Sequence, residues 1–184
     1  MNRNIKLFII SEFLAVSSFG FIFPIFAVFI KEELIGGSVL MAGIAVSIFL
    51  LGKSVLRIPI SKYCDKKKLH KKFMIIGYFM MSLVPFGWFL VTSVYQLFIV
   101  EFLFALSAAI GVAGWYGLFI RSLPKGEESS LWNALKGYTG IGDAIAATVG
   151  GVLVTIFGFD TTFIIIGLMG LATTYILSKI EAPN

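Results

Sequence analysis

Long apolar stretches alternate with short polar segments along the whole chain. A helix that crosses the hydrocarbon core of a bilayer needs roughly 20 mostly apolar residues. The pattern therefore predicts an all-α, polytopic membrane protein with six transmembrane helices, separated by clusters of charged and turn-forming residues. The predicted helices cover residues 7–30, 38–60, 73–91, 95–120, 131–157 and 161–177.

Composition agrees with this pattern. The chain has 184 residues, of which 58% are hydrophobic and 14% charged, and its mean hydropathy is +0.96. Because the six stretches nearly exhaust the chain, we expect residues 1–184 to form a single transmembrane domain. The first stretch is too long for the apolar core of a signal peptide, contains Glu12 and lacks a small-x-small cleavage site, so we interpret it as a retained helix.

The polar segments differ in charge. With an even number of spans, the N-terminus, the second and fourth connections and the C-terminus lie on one side. That side carries Arg3, Lys6, Lys62, Lys66, Lys67, Lys68, Lys71, Lys72, Arg121, Lys125 and Lys179. The other side carries only Lys31, beside Glu32, Glu33 and Asp160. The positive-inside rule then predicts both termini on the cytoplasmic side of the cytoplasmic membrane, and it explains the net charge of +5 without nucleic acid.

The second connection carries a recognisable pattern. It reads Ser61-Lys62-Tyr63-Cys64-Asp65-Lys66, followed by a basic run to Lys72. This is similar to the major facilitator superfamily signature Gly-x-x-x-Asp-Arg/Lys-x-Gly-Arg-Arg/Lys. Asp65 and Lys66 match in order and location. Ser61 and Lys68 stand where the signature has glycine, and the connection is one residue longer than the common form.

The fifth predicted helix resembles the same family. It contains Gly142-Asp143-Ala144-Ile145-Ala146-Ala147-Thr148-Val149-Gly150-Gly151. The spacing follows the family's motif Gly-x-x-x-Gly-Pro-x-x-Gly-Gly, but Ala146 and Ala147 replace the Gly-Pro pair that is associated with antiporters. In the fourth helix, Glu101 stands where many members have an arginine linked to proton coupling. These departures argue against carrying over an antiporter or proton-relay role.

The resemblance implies a six-helix bundle of the N-terminal-half type, built as a 3+3 repeat; members usually have twelve helices in two halves. It implies a secondary transporter of a small solute that works by alternating access. The acidic groups within the predicted spans favour the proton as the coupling ion. This half would pair with a second copy, as a homodimer, or with a complementary half. Two alternatives remain open, a truncated or split fragment of a twelve-helix transporter and a membrane scaffold without transport activity.

Charged residues inside the predicted helices are the candidates for transport, because such groups usually face the bundle interior or a water-filled cavity. They are Glu12, Lys53, Arg57, Glu101 and Asp143. Asp143, near the middle of its helix, is the strongest candidate for binding a proton or cation, with a structural ion pair as the alternative. Arg57 is close enough to a helix end to snorkel. For Glu12 and Glu101 a substrate contact competes with hydrogen bonding near an interface, and Lys53 is open to either interpretation.

Asp65 and Lys66 are candidates for gating rather than binding. The resemblance implies that Asp65 contacts a helix N-terminus of the other half, near Ser129 and Ser130 of a second copy. The alternative is a solvated aspartate that balances lysines. Gly142, Gly150 and Gly151 are expected to form helix-packing surfaces. One cysteine and one histidine exclude an intramolecular disulfide and a metal cluster, and no catalytic set is found, so we expect no enzyme activity, cofactor or metal.

Overall fold

The computed structural model describes residues 3–181, and they are helical over nearly their whole length. The elements are α1 (Arg3–Gly20), a 3₁₀ turn (Phe23–Ile25), α2 (Phe26–Glu33), α3 (Val39–Lys67), α4 (His70–Leu90), α5 (Val94–Ser122) and α6 (Glu128–Ser178). Five helical stretches are long and apolar enough to cross a membrane, namely α1 and α2 taken together, α3, α4, α5 and α6. Within residues 3–181 the chain forms no β-strand, only an isolated bridge between Ile35 and Ser93.

The first predicted helix, 7–30, is interrupted in the structure. Pro24 occupies the first turn of the short 3₁₀ segment, after α1 has ended at Gly20. Proline has no N–H to donate and its ring clashes with the preceding helical turn, so it kinks or breaks a helix, and here α1 ends before it. The 3₁₀ bonds from Ile22 N to Phe19 O (3.1 Å) and from Ile25 N to Ile22 O (3.0 Å) keep the backbone hydrogen-bonded across the break.

The end of the second predicted helix was wrong by seven residues. The prediction ended it at residue 60, whereas α3 continues to Lys67, so Asp65 and Lys66 lie in its last turn. Lysine supports helix formation and nothing requires a helix to stop at the membrane surface. α3 ends in a Schellman motif: Lys68 adopts a left-handed conformation (φ 53°), its N–H bonds to Asp65 O (3.2 Å), and Leu69 N–H bonds to Cys64 O (3.1 Å).

The last two predicted helices form one element of 51 residues, α6, which is broken at a single residue. Gly158 has φ 77° and ψ 174°, a backbone conformation that L side chains rarely adopt. The part before the break packs on α1, where Gly150 meets the Phe21 backbone. The part after the break packs on α4, where Gly170 lies against Ser82.

The helices pack through two apolar clusters. The first cluster centres on Trp88, Phe104 and Phe163, and the second on Phe8, Trp115 and Leu177. Between them α4 and α5 approach backbone to backbone at Gly77 and Gly111. Small residues allow this close approach, which takes the place of the hydrophobic drive that a lipid environment does not supply.

Candidate functional site

Glu101 is the most deeply buried charged residue within the spans. Its side chain is 2% exposed, and Trp88 Nε1 on α4 donates a hydrogen bond to its Oε1 at 2.8 Å. It borders a small cavity of about 70 Å³ whose other walls are apolar, among them Ile22, Phe49 and Phe104. The Glu101 carboxyl group is therefore held by Trp88 beside a cavity that is lined by apolar surface.

Glu12 lies in a related arrangement. Tyr78 on α4 donates a hydrogen bond from its hydroxyl to Glu12 Oε2 at 2.9 Å, and Glu12 itself is half-buried. Lys136 of α6 is near enough for its charge to attract this carboxyl group. Each of the two acids, one on α1 and one on α5, thus takes its hydrogen bond from an aromatic side chain of the same helix, α4.

A series of cation–π and aromatic contacts joins α3, α5 and α6. The Arg57 guanidinium lies over the Tyr116 ring, 4.8 Å from its centroid. The Tyr116 and Trp132 rings are 5.8 Å apart, and the Lys136 ammonium lies 5.0 Å from the Trp132 ring. Arg57 is half-exposed and Lys136 exposed. Cation–π contacts of this kind hold a charge at a defined place without neutralising it.

Lys53 lies one helical turn before Arg57. Its ammonium is 4.7 Å from the Phe49 ring, and Phe49 stacks on Phe104 with centroids 4.1 Å apart. Phe104 in turn packs against Trp88, the hydrogen-bond donor of Glu101. A continuous set of aromatic contacts therefore runs from the Lys53 charge to the Glu101 carboxyl.

Asp143 is exposed on the surface of the bundle, in the central part of residues 128–157. Its carboxylate covers Gly20 of α1 so closely that a Cβ atom added there would lie 2.7 Å from Asp143 Oδ1. Within residues 3–181 no lysine, arginine or histidine nitrogen lies within 4.0 Å of it. Inside this bundle, Asp143 has no ion-pair partner.

The gating candidates lie at the end of α3. The Asp65 side chain is 67% exposed, and its Oδ1 lies 3.6 Å from His70 Nε2, a ring nitrogen that bears charge only when the histidine is protonated. His70 is buried, with Nδ1 3.3 Å from Cys64 Sγ and its ring pressed against Gly117 of α5. Lys66 is exposed. The aspartate is therefore open to a partner from outside the bundle.

The three glycines of α6 differ in their surroundings. Gly142 packs against Ser17 and Gly150 against the Phe21 backbone. Gly151 has no neighbour within 4 Å at the position that a side chain would occupy, and it points away from the described bundle. The same holds for three further helical glycines, Gly43, Gly137 and Gly140.

These residues define two surfaces. The mixed face consists of exposed and half-exposed groups of α3 and residues 128–157, where charged residues and open glycines lie among large apolar side chains such as Leu51 and Ile145. Its charged residues and glycines are Lys53, Arg57, Lys136, Asp143, Gly43, Gly137, Gly140 and Gly151. The apolar face consists of exposed residues of α4 and residues 159–178, namely Ile76, Phe79, Leu83, Ile164 and Leu168.

Tyr78, Trp88 and Lys136 were missed by sequence reasoning. Hydropathy places the aromatic pair within an apolar helix and Lys136 near a helix end, but it does not give the rotation of each helix. A usable signal was present, since Tyr and Trp buried in an apolar helix usually find a partner for their polar tips. Among the described residues, no group of three His, Cys, Asp or Glu side chains is placed to hold a metal ion.

Comparison with known proteins agrees with this architecture. The sequence pattern of the Major Facilitator Superfamily matches residues 8–183. The chain is also 26% identical over 180 residues to the "Uncharacterized MFS-type transporter MJ1560" of Methanocaldococcus jannaschii. That alignment covers 96% of this chain and 45% of the relative, so the chain spans about half of the relative's length. The apolar helices and the match over almost every residue lead to one conclusion: this chain is an integral membrane protein that belongs to the Major Facilitator Superfamily of transporters.

Proposed function

We propose that this chain forms a six-helix half of a secondary transporter, and that a second six-helix bundle covers its mixed face. The pair moves a small solute by alternating access, with the solute and any coupled proton near Glu12, Glu101 and Asp143. The observation that carries the proposal is the mixed face itself, which puts charges and open glycines on the outside of a membrane bundle.

A six-helix half requires that α6 cross the membrane twice. An unbroken helix of 51 residues would be about 77 Å long, against a hydrocarbon core of about 30 Å. Leu135 and Leu177, on either side of Gly158, both belong to the second cluster, whereas Phe163 belongs to the first. These contacts support a chain that crosses, turns at Gly158 and returns, which makes six crossings.

The charges of the mixed face are the second step. A charged side chain at the centre of a helix in the bilayer costs roughly 2.5–3.5 kcal/mol on insertion scales, so such groups normally face protein or water. Asp143 and Lys53 would face lipid if this bundle stood alone. A second bundle with a water-filled cavity between the two removes that cost and places both groups beside the pathway.

Open glycines are the third step. Glycine in a helix is about 1 kcal/mol less favourable than alanine, and membrane helices use it where another helix approaches closely. Gly137, Gly140 and Gly151 approach nothing within the described bundle. Contact with a second bundle gives them the role that Gly142 and Gly150 have against α1.

Asp65 supplies the gate. Its exposed carboxylate at the end of α3 is free to approach the start of the equivalent of α6 in the other bundle, near Ser129 and Ser130 of a second copy. A helix N-terminus attracts an anion by about 0.3–1 kcal/mol at an exposed site, which is weak enough to break on each cycle. The excess of lysine on this side supports a cytoplasmic location for the gate and for both termini.

The test is the mass of the purified protein in lipid nanodiscs, corrected for lipid, followed by solute flux in proteoliposomes. We expect each particle to contain two bundles, either two copies of this chain or this chain with a complementary half. Asp143→Asn should then reduce flux at unchanged particle mass. Single, fully folded bundles would contradict the pairing. Paired bundles whose Asp143→Asn and Asp65→Asn variants alter stability but not flux would favour a scaffold instead.

A further inference from the structure

The end of α3, the start of α4 and the two residues between them are rich in positive charge. Six lysines lie between residues 62 and 72, with Asp65 as the only carboxylate among them. Asp65 is already next to His70. Across residues 3–181, no lysine of this run has a carboxylate oxygen within 4.0 Å. Their charges are left without a protein partner.

Three of the six line one groove. Lys68, Lys71 and Lys72 form its walls together with Leu69 and Ile75, and its volume is about 360 Å³. The groove joins three lysine side chains to the apolar residues Leu69 and Ile75, the second of which lies on α4. A phosphate group with an attached hydrocarbon chain fits this division into a charged and an apolar part.

Lys68 is at an unusual place for a lysine. It occupies the left-handed position that ends α3, where glycine is the common residue because it has no Cβ atom. Among described residues other than glycine, Lys68 alone has a positive φ. The sequence thus keeps a long cationic side chain in the groove at a position where the backbone favours glycine.

An aromatic pair lies beside the groove, where α3 ends and α4 begins. Tyr63 and Phe73 stack across the end of α3 and the start of α4, with ring centroids 6.1 Å apart, and the Tyr63 side chain is half-exposed. Amphipathic aromatic rings collect at the interface between the hydrocarbon core and water. Below them the chain is apolar, and above them it is lysine-rich.

We propose that this groove is a binding site for the headgroup of an anionic phospholipid, with its phosphate on Lys68, Lys71 and Lys72 and its acyl chain along Leu69 and Ile75. Juxtamembrane lysine clusters attract anionic lipid by their summed charge, and the groove adds a fixed place for one molecule. The bound lipid holds the connection beside the proposed gate at Asp65. The site does not require transport activity.

The experiment is native mass spectrometry of the protein in micelles that contain equal amounts of phosphatidylglycerol and phosphatidylcholine. We expect the wild type to retain one phosphatidylglycerol. The double variant Lys68→Gln/Lys72→Gln should bind phosphatidylglycerol at least about tenfold more weakly than the wild type. The matched control, Lys62→Gln/Lys67→Gln, removes the same charge from the same run outside the groove and should change binding by less than about threefold.

One further variant and a competitor complete the test. Lys68→Arg/Lys72→Arg keeps the charge and should restore binding, which separates charge from misfolding. Equal losses in the groove and control doubles would overturn the site in favour of diffuse attraction. A wild type without preference for phosphatidylglycerol would also overturn it. Displacement of the lipid by millimolar inorganic phosphate would instead indicate a site for a soluble anion.

Discussion

The mixed face and the apolar face are both formed by long apolar helices, but they differ in the chemistry of their exposed residues. Exposed positions of α4 and residues 159–178, such as Leu83 and Leu168, carry hydrocarbon side chains. Exposed positions of α3 and residues 128–157 include Asp143, Lys136 and glycines. Lipid accepts the first surface and penalises the second.

Glycines show the same difference. On α4, α5 and the end of α6, several glycines lie against a neighbouring helix that occupies the space where a side chain would be. They are Gly77, Gly111, Gly167 and Gly170. Those of the mixed face open onto empty space. On the proposed pairing, exposure in an isolated bundle has two meanings: the apolar face contacts lipid, and the mixed face contacts another bundle.

The largest expected effect contrasts a filled glycine with an open one. Gly77→Leu places a side chain into the Gly111 backbone, and we expect a loss of at least about 3 kcal/mol in unfolding free energy. Gly140→Leu should change it by less than about 1 kcal/mol in detergent, since helix propensity rises and nothing is displaced. Thermal unfolding monitored by circular dichroism measures both. Similar losses at the two positions would break the comparison.

A charge placed on each face comes next. Leu83→Asp puts a carboxylate into lipid, and we expect its insertion to cost roughly 2.5–3.5 kcal/mol. Ala144→Asp lies next to Asp143 at an exposed position of α6 and should cost less than half as much if that surface meets water or protein. The amount of protein inserted into membranes reports the difference. Equal losses would place both surfaces in lipid.

A third contrast compares the buried acid with the exposed one. Glu101→Ala leaves the Trp88 N–H without an acceptor in the core and should lower stability by about 1–3 kcal/mol. Glu101→Gln keeps a carbonyl oxygen at the same place and should lose less. Asp143→Ala has no such bond to break and should change stability by under about 0.5 kcal/mol. The denaturation midpoints of the three variants in detergent rank their stabilities. A large loss of stability in Asp143→Ala would contradict the description of Asp143 as an exposed residue without an ion-pair partner.

The smallest expected change in stability concerns the cation–π contacts of the mixed face. Arg57→Gln removes the cation over Tyr116 and should lower stability by about 0.5–1 kcal/mol. Lys62→Gln, a charge change on the same helix beyond the span, is the control and should be neutral. A melting temperature unchanged by Arg57→Gln would mean that the guanidinium does not rest on the ring in solution.

Hydrophobic patterning predicted most of the architecture because a lipid-spanning helix must be apolar over its whole length. Patterning failed at the end of α3, since the helix continues past the apolar residues through Cys64, Asp65 and lysines. It also ranked Asp143 above Glu12 and Glu101 as a candidate, whereas the structure buries Glu101 and leaves Asp143 exposed. Burial depends on how each helix is rotated, and that rotation is set by contacts such as Gly77 with Gly111, which no local pattern encodes.

The hydrogen-bond donors of Glu12 and Glu101 could not be identified from the sequence, because their identity also depends on helix rotation. Tyr78 and Trp88 read as core residues of α4, and their bonds to Glu12 and Glu101 depend on how that helix is placed between α1 and α5. The exposed side of Asp143 was equally hidden, because a helix rich in glycine and alanine has no clear apolar stripe. The sequence identified the charged residues, and packing assigned their environments.

The central claim, that a second bundle and water cover the mixed face, is tested most directly by fluorescence quenching from within the lipid. In a Cys64→Ala background, Asp143→Cys and Leu83→Cys are each labelled with bimane and reconstituted with doxyl-labelled lipid. The account predicts strong quenching at position 83 and little at position 143. Equal, strong quenching at both positions would show that lipid bathes the mixed face and would contradict the account.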